Sequence, residues 1–286
     1  MLDGATRVSD MVNRAVELGM PAVALTDHGY MYGIPELGLA CDAVNNAALD
    51  FKQWKHDKTA FAEGDFGEAP EDDKARAQWE RDRAAWEAEG SLEGTKPDPV
   101  IKPIFGCEVY FTPDETLSRD RKPELYHMIL IARNETGYVN LMQTVSEAAT
   151  RGFYYKPRVT LDNLRRHREG LIATSACIAG IIPKLLDNRQ FDDAVAWANK
   201  FASCFDPGDF YIELQNQGIR TDAGFTQTEL NHMLTDVAKA AGLKTIATND
   251  FHYLTKEDAK AQDYMLCVAQ GAAVNDEKRM RFENDE

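Results

Sequence analysis

The sequence predicts an α/β fold built on a largely parallel sheet, open or closed into a barrel, and three observations lead there. Short apolar runs recur at residues 22–25, 101–111, 128–132, 171–174, 210–214 and 244–248. Stretches with apolar residues at helical spacing lie between most of them. Residues able to bind metals or move protons gather just past the ends of several runs, where an α/β fold builds its sites.

In chain order, residues 8–18 carry Val8, Met11, Val12, Ala15, Val16 and Leu18 on one helical face, closed by Gly19 and Pro21. The strand 22–25 (AVAL) follows, then a helix over 36–50. Strands 101–111 and 128–132 come next, and then strand 171–174 with helices over 178–187 and 191–201. Strand 210–214, helix 226–241, strand 244–248 and helix 256–269 continue the alternation. Residues 51–100 break it: they hold 13 Asp or Glu, 8 Lys or Arg and three of the four Trp, with almost no aliphatic residues. The segment DDKARAQWERDRAAWEAEG reads as an exposed helix with opposite charges four apart, and Trp79 and Trp86 share one face. Residues 51–100 are therefore read as a charged, mostly helical insertion.

The 286 residues, 44% hydrophobic and 28% charged, are ordinary for a globular protein with a sizeable core. No apolar run approaches the roughly 20 residues that span a bilayer, and MLDGATRVSDMV lacks the build of a secretory signal. Five cysteines without regular spacing form no disulfide framework, so reduced thiols, a cytoplasmic setting and no membrane partner are expected. With 32 Lys and Arg against 47 Asp and Glu, the net charge of −15 repels a phosphate backbone. Contact with nucleic acid would need bound cations or a basic partner domain.

The chemistry-bearing residues are few. TDHGYMYG places Asp27, His28 and Gly29 directly after strand 22–25, either as ligands or as a polar turn with a helix-capping Asp. In NDFHY, Asp250 and His252 are two apart, so in extended chain both point to one side. Cys177 lies just past strand 171–174 and reads as a ligand or a small buried hydrophobe. Glu108 interrupts the apolar IFGCEVYF and needs a cation, either a metal or a buried Arg or Lys. His127 sits at a strand start, which fits a simple parallel barrel poorly, while His56, His167 and His232 read as surface residues. No P-loop, G-x-G-x-x-G, C-x-x-C or H-E-x-x-H is present. Imidazole, carboxylate and one thiolate suit zinc, with manganese or iron as alternatives, and exceed one tetrahedral ion's needs. A multi-ion site of this kind serves phosphoester hydrolysis.

The blocks ALTDHGYMYG, KPIFGCEVY, YHMILIARNETGYVNLMQTVS, GFYYKPRV, GLIATSACIAG, FYIELQNQGI and TIATNDFHYL resemble those of a known family in its order. The family is the PHP (polymerase and histidinol phosphatase) domain at the N-terminus of the alpha subunit of bacterial DNA polymerase III. TDHG and the D-x-H pair are shared widely among PHP phosphatases, whereas GFYYKPRV and NETGYVNLM point to the replicative polymerases. The resemblance implies a distorted seven-stranded β/α barrel with a metal cluster at one end. It implies metal ligands at His28, Glu108, His127, Cys177, Asp250 and His252, with catalytic roles for Asp27, Asp250 and His252. It further implies a PHP domain over 1–271, with 272–286 starting the connection to polymerase domains.

The family's first motif, an H-x-H on the first strand, should precede LDGATRV, yet Met1 and Leu2 stand there. The resemblance thus implies a fragment without that strand, with an incomplete multi-ion site and without the polymerase active site. The functions implied are a 3′→5′ proofreading exonuclease within a DNA-directed DNA polymerase, a silent scaffold for the polymerase and its partners, or a free-standing histidinol-phosphatase-like enzyme. The implied partners are DNA, the other alpha-subunit domains and replisome subunits. Because residues 51–100 offer too little aliphatic surface for a core of their own, deleting them should leave the thermal melt by circular dichroism close to the parent's. Cooperative loss of all structure would place Trp79 and Trp86 in the main core.

Overall fold

The computed structural model describes residues 4–46, 72, 75–77, 79–81, 101–276 and 279. Helix α1 (Val8–Glu17) leads into strand β1 (Ala22–Leu25), and helix α2 covers 34–46. Strands β2 (Lys102–Phe111) and β3 (Tyr126–Ala132) follow, then helix α3 (Glu135–Thr150), the two-residue strand β4 (Arg158–Val159) and helix α4 (Leu161–Arg166). The chain continues through β5 (Leu171–Thr174), α5 (Ile181–Asp187), α6 (Phe191–Ala202), β6 (Phe210–Leu214), α7 (Gln227–Ala241), β7 (Lys244–Ala247) and α8 (Ala259–Gln270). Of the charged insertion, 75–77 and 79–81 are helical, as expected of that stretch; apart from residue 72, Trp86 and the rest of it lie outside the described residues, as do 47–50.

One seven-stranded sheet runs β1-β2-β3-β5-β6-β7, with β4 pairing β2. All pairings are parallel except the two made by β3, which lies antiparallel to both β2 and β5. That reversal answers the objection to His127. The start of β3 lies at the same end of the sheet as the C-terminal ends of its neighbours, and His127 stands beside Tyr110 in register. The sheet also curls. β1 and β7 are its two edges, yet the rings of His28, after β1, and His252, after β7, are 6.0 Å apart. Ala5 N–H donates to the His252 carbonyl at 2.7 Å, tying the start of the described chain to the segment after β7. Among the described residues β1 and β7 do not pair, so the expected barrel is a curled sheet that brings its edges together at one end.

Strand alternation sorts the two faces. Cys107, Val109 and Phe111 of β2, with Met128 and Leu130 of β3, join Leu171, Ala173, Phe210 and Ile212 in the main core. Helices α3, α5, α6 and α7 cover that face through Leu141, Val145, Ile182, Leu186, Ala198, Phe201, Leu234 and Val237. A smaller cluster joins α1, β1 and α2 through Met11, Val12, Ala15, Val23, Leu37 and Cys41. Gly106, Glu108 and Tyr110 point the other way, beside Ile131, Ile129 and His127. This concave face carries the polar groups.

Helix α3 is not singled out by apolar spacing, because its apolar residues are spread round the helix: Val139 and Met142 are exposed while Leu141 and Val145 are buried. Capping and tertiary packing specify it instead. Asn134 Oδ1 accepts from Gly137 N–H at 2.9 Å, and Gly137 lies so close to the Gly170 carbonyl that a Cβ there would overlap it. In GFYYKPRV, the buried Arg158 donates to the carbonyls of Gly152, Ser118 and Leu117, each at 2.8 Å, and fixes the path of two loops. His167, expected at the surface, is instead largely covered, with Nε2 3.2 Å from Glu147. Glu147 also takes both terminal nitrogens of Arg166, at 2.7 and 2.8 Å, which clamps α4 to α3.

Replacing Gly137 with Ala should destabilise the fold by roughly 3 kcal/mol, the upper end for an overpacked site, despite alanine's better helix propensity. Urea denaturation showing a gain in stability would contradict the close approach to Gly170. The Arg166 hydrogen bonds, against an opposing effect of burial, lower the Glu147 carboxyl from 4.5 to about 2. The folded value is depressed, so the stabilisation is fully present above 4.5 and lost as pH falls towards about 2. The stability gap between the parent and Glu147→Gln should therefore narrow across that window in denaturation at stepped pH.

Candidate metal centre

Strand β1 ends at Leu25, but its register with β2 continues past the end, and His28 bridges to Glu108 in the same alignment. Glu108 N–H donates to the Asp27 carbonyl at 3.0 Å and Gly29 N–H to the Glu108 carbonyl at 2.7 Å. Residues paired this way share a face, so the imidazole lies alongside the carboxylate. Gly29 makes the turn possible. Its φ is +71°, and a Cβ would press on the Tyr110 ring and Pro157.

Glu108 is 3% exposed and lies inside β2. Its Oε1 is 2.5 Å from His28 Nδ1 and 3.1 Å from His127 Nδ1. Cys177 Sγ is 3.5 Å from that same His127 nitrogen. Glu108, His127 and Cys177 each bring one ligand atom to within 4.8 Å of the other two, a spacing able to hold a metal ion. Basic atoms this close repel one another unless a proton or a cation lies between them. Burial works to raise the Glu108 carboxyl, but hydrogen bonds from His127 and His28 bring it down to about 2. Burial pushes the Cys177 thiol up, and the charges of Glu108 and Asp250 add to the push.

The opposite sheet edge supplies the other wall. Asp250 has φ +48°, left-handed backbone that few residues other than glycine adopt and that Asp tolerates. Burial raises its carboxyl; His252 opposes the rise, while Glu108 and Glu213 add to it. His252 Nδ1 donates to the Asp250 carbonyl at 2.9 Å, which puts the imidazole proton on Nδ1 and the basic lone pair on Nε2. Among the described residues no Lys or Arg forms an ion pair with Glu108, Asp250 or Glu213. Carboxylate, imidazole and thiol with no Lys or Arg paired to them among the described residues are a donor set that fits a divalent metal.

His28, Glu108, His127 and Cys177 are thus brought into one group, and Asp250 and His252 face it across the curl. Asp27 Oδ2 accepts from Gly33 N–H at 2.7 Å, ahead of helix α2, the position of the helix-capping alternative read for it. Three residues not singled out by spacing belong to the surroundings. Tyr110 stands edge-on to His127 with ring centres 5.5 Å apart, and Lys156 sits 4.9 Å over the Tyr110 ring. Glu213 is 4% exposed, and it could have been found by the signal that marks Glu108, an acid inside an apolar run (FYIEL).

Residues 1–217 match the PHP domain family. The chain is 33% identical over 292 residues to a DNA polymerase III subunit alpha of Borreliella burgdorferi, a match covering 100% of this chain and 20% of that protein. The same-named protein of Treponema pallidum is 33% identical over 289 residues, with the same coverage of 100% and 20%. That of Thermus aquaticus is 32% identical over 293 residues, covering 100% of this chain and 19% of the relative. The chain spans about a fifth of the length of the curated relatives it matches. Matched to the family over most of its length, and carrying its mixed nitrogen, oxygen and sulfur donors where a curled sheet meets its own edge, the chain belongs to the PHP domain family.

Proposed function

We propose that the chain is the PHP domain of the alpha subunit of a bacterial replicative DNA polymerase, and that the domain is a metal-dependent phosphoesterase acting on the 3′ end of DNA. The observation that carries this reading is the convergence of Glu108, His127 and Cys177, with His28 alongside and Asp250 and His252 opposite, and no Lys or Arg paired to their carboxylates among the described residues. The resemblance to polymerase alpha subunits over the whole chain favours this setting over a free-standing phosphatase.

Glu108, His28, His127 and Cys177 would hold the ion, and the thiolate–imidazole combination favours zinc, with manganese or iron as alternatives. A divalent ion there supplies Lewis acidity toward a phosphoryl oxygen and makes water a better nucleophile near neutral pH. The protein's part is to keep the basic atoms aimed. The Asp250 carbonyl fixes the His252 tautomer, and the Glu108 carboxylate orients both neighbouring imidazoles. Lys156, over Tyr110 at the margin of the group, provides positive charge where a phosphodiester would enter. At −15 net charge, DNA would be brought to the site by bound cations and basic polymerase domains.

The test uses the complete alpha subunit carrying this domain, a 5′-labelled primer and added Zn²⁺ or Mn²⁺. Shortening of the primer should stop on chelation and fall at least about 100-fold in Asp250→Asn, with DNA synthesis retained. If no degradation depends on Asp250, the nuclease reading fails and the domain is a scaffold for the polymerase and its partners.

A further inference from the structure

A second carboxylate is buried beside the metal centre, and the ligand set does not use it. Glu213 lies near the end of β6 and is 4% exposed. Its Oε2 accepts from the Thr174 hydroxyl, and its Oε1 accepts from the Thr248 hydroxyl and, at 2.9 Å, from Gln215 Nε2. All three donors are neutral. No Lys or Arg forms an ion pair with Glu213 among the described residues, so these three neutral donors are what answer the burial of its carboxylate.

The two threonines show what this carboxylate joins. Thr174 closes β5 three residues before Cys177, and its Oγ1 also accepts from Ala176 N–H at 3.3 Å, within a turn where Ala176 has φ +58°. Ser175 reinforces the same junction, its Oγ accepting from Glu213 N–H at 2.8 Å. Thr248 follows β7 directly and precedes Asp250 by two residues. Gln217, on the segment after β6, adds a third tie by donating from Nε2 to the Asn249 carbonyl at 2.6 Å. β7 is an edge strand with most of its residues exposed, so packing on β7 itself does little to fix the loop that follows. The β6 segment fixes it from the side.

We propose that Glu213 is a positioning residue of the metal centre, one carboxylate whose two oxygens hold the Cys177 loop and the Asp250–His252 loop at a fixed separation while its charge adds to the pull on a cation. The inference rests on the metal reading above. It assigns Glu213 no bond to the ion and no contact with substrate. Its consequence is that the two loops lose their mutual spacing when either threonine is cut loose, and that cation affinity falls when the charge is removed with the shape kept.

The experiment titrates the 286-residue chain with Co²⁺ and follows the thiolate-to-cobalt charge-transfer band, with Cys177→Ser as the reference lacking it. Glu213→Gln should keep its thermal melt near the parent's while Co²⁺ affinity drops about tenfold or more, as for the loss of a residue that orients metal ligands. Thr174→Val should weaken the charge-transfer band, and Thr248→Val should lower affinity with the band intact. Glu147→Gln, an equal change of charge in the α3–α4 clamp, should lower the melt and leave Co²⁺ binding as in the parent. Parent-like affinity and spectrum in Glu213→Gln overturn the positioning role and leave the metal reading standing. If that variant does not fold, parent-like binding in both threonine variants overturns it equally. A loss of Co²⁺ affinity in Glu147→Gln matching that of Glu213→Gln reduces the effect to stability and also overturns it. A parent chain that binds no Co²⁺ overturns both readings.

Discussion

A carboxylate buried within a ten-residue strand, with two imidazoles and a thiol as its nearest polar company, is the constraint around which the concave face is organised. Glu108 sits on a strand paired on both sides, so its backbone is satisfied and only its side chain asks for a partner. Burying such a charge costs several kcal/mol unless something answers it. The fold answers with His28 from the extension of β1 and His127 from the start of β3. Cys177 and the Asp250 segment then close round a group that is still short of positive charge.

Two features of the sheet make that answer geometrically available. The reversal of β3 brings a strand start to the end where its parallel neighbours finish, which turns His127 from an oddity into a neighbour of Tyr110 and Glu108. The curl then brings residues from opposite sheet edges within reach of one another, as the 6.0 Å between the His28 and His252 rings shows. Helices on the convex face supply the apolar burial that holds this shape, and the concave face is left for polar groups. Among the positive-φ residues, Gly29, Ala176 and Asp250 lie where the chain leaves the sheet near the site. Strain of this sort persists only where surrounding hydrogen bonds over-determine it. The ladder round Glu108, the Thr174 and Ser175 hydroxyls, and the ties from Glu213 and Gln217 do so here.

The sequence by itself determined the parts whose physics is local. Strands Ala22–Leu25, Leu171–Thr174 and Phe210–Leu214 are short apolar runs, and a run of that kind has few other uses. Helix α7 announces itself by Thr226 and Glu229 at its start and Gly242 at its end, because capping is settled within a few residues. Glu108 and the Asp250–His252 pair were legible as chemistry for the same reason: an acid in an apolar run and two ligands at strand spacing are anomalies visible without neighbours. The tertiary structure alone decided whatever depends on what stands alongside. That Cys177 lies against His127 rests on a contact fifty residues away in sequence, and that Glu108 lies between His28 and His127 rests on the pairing of three segments. His127 needed the direction of β3, and Glu213 needed two threonines, one closing β5 and one just past β7. Strand direction and lateral neighbours are set by long-range pairing, which leaves no periodic trace in the chain that has to make it.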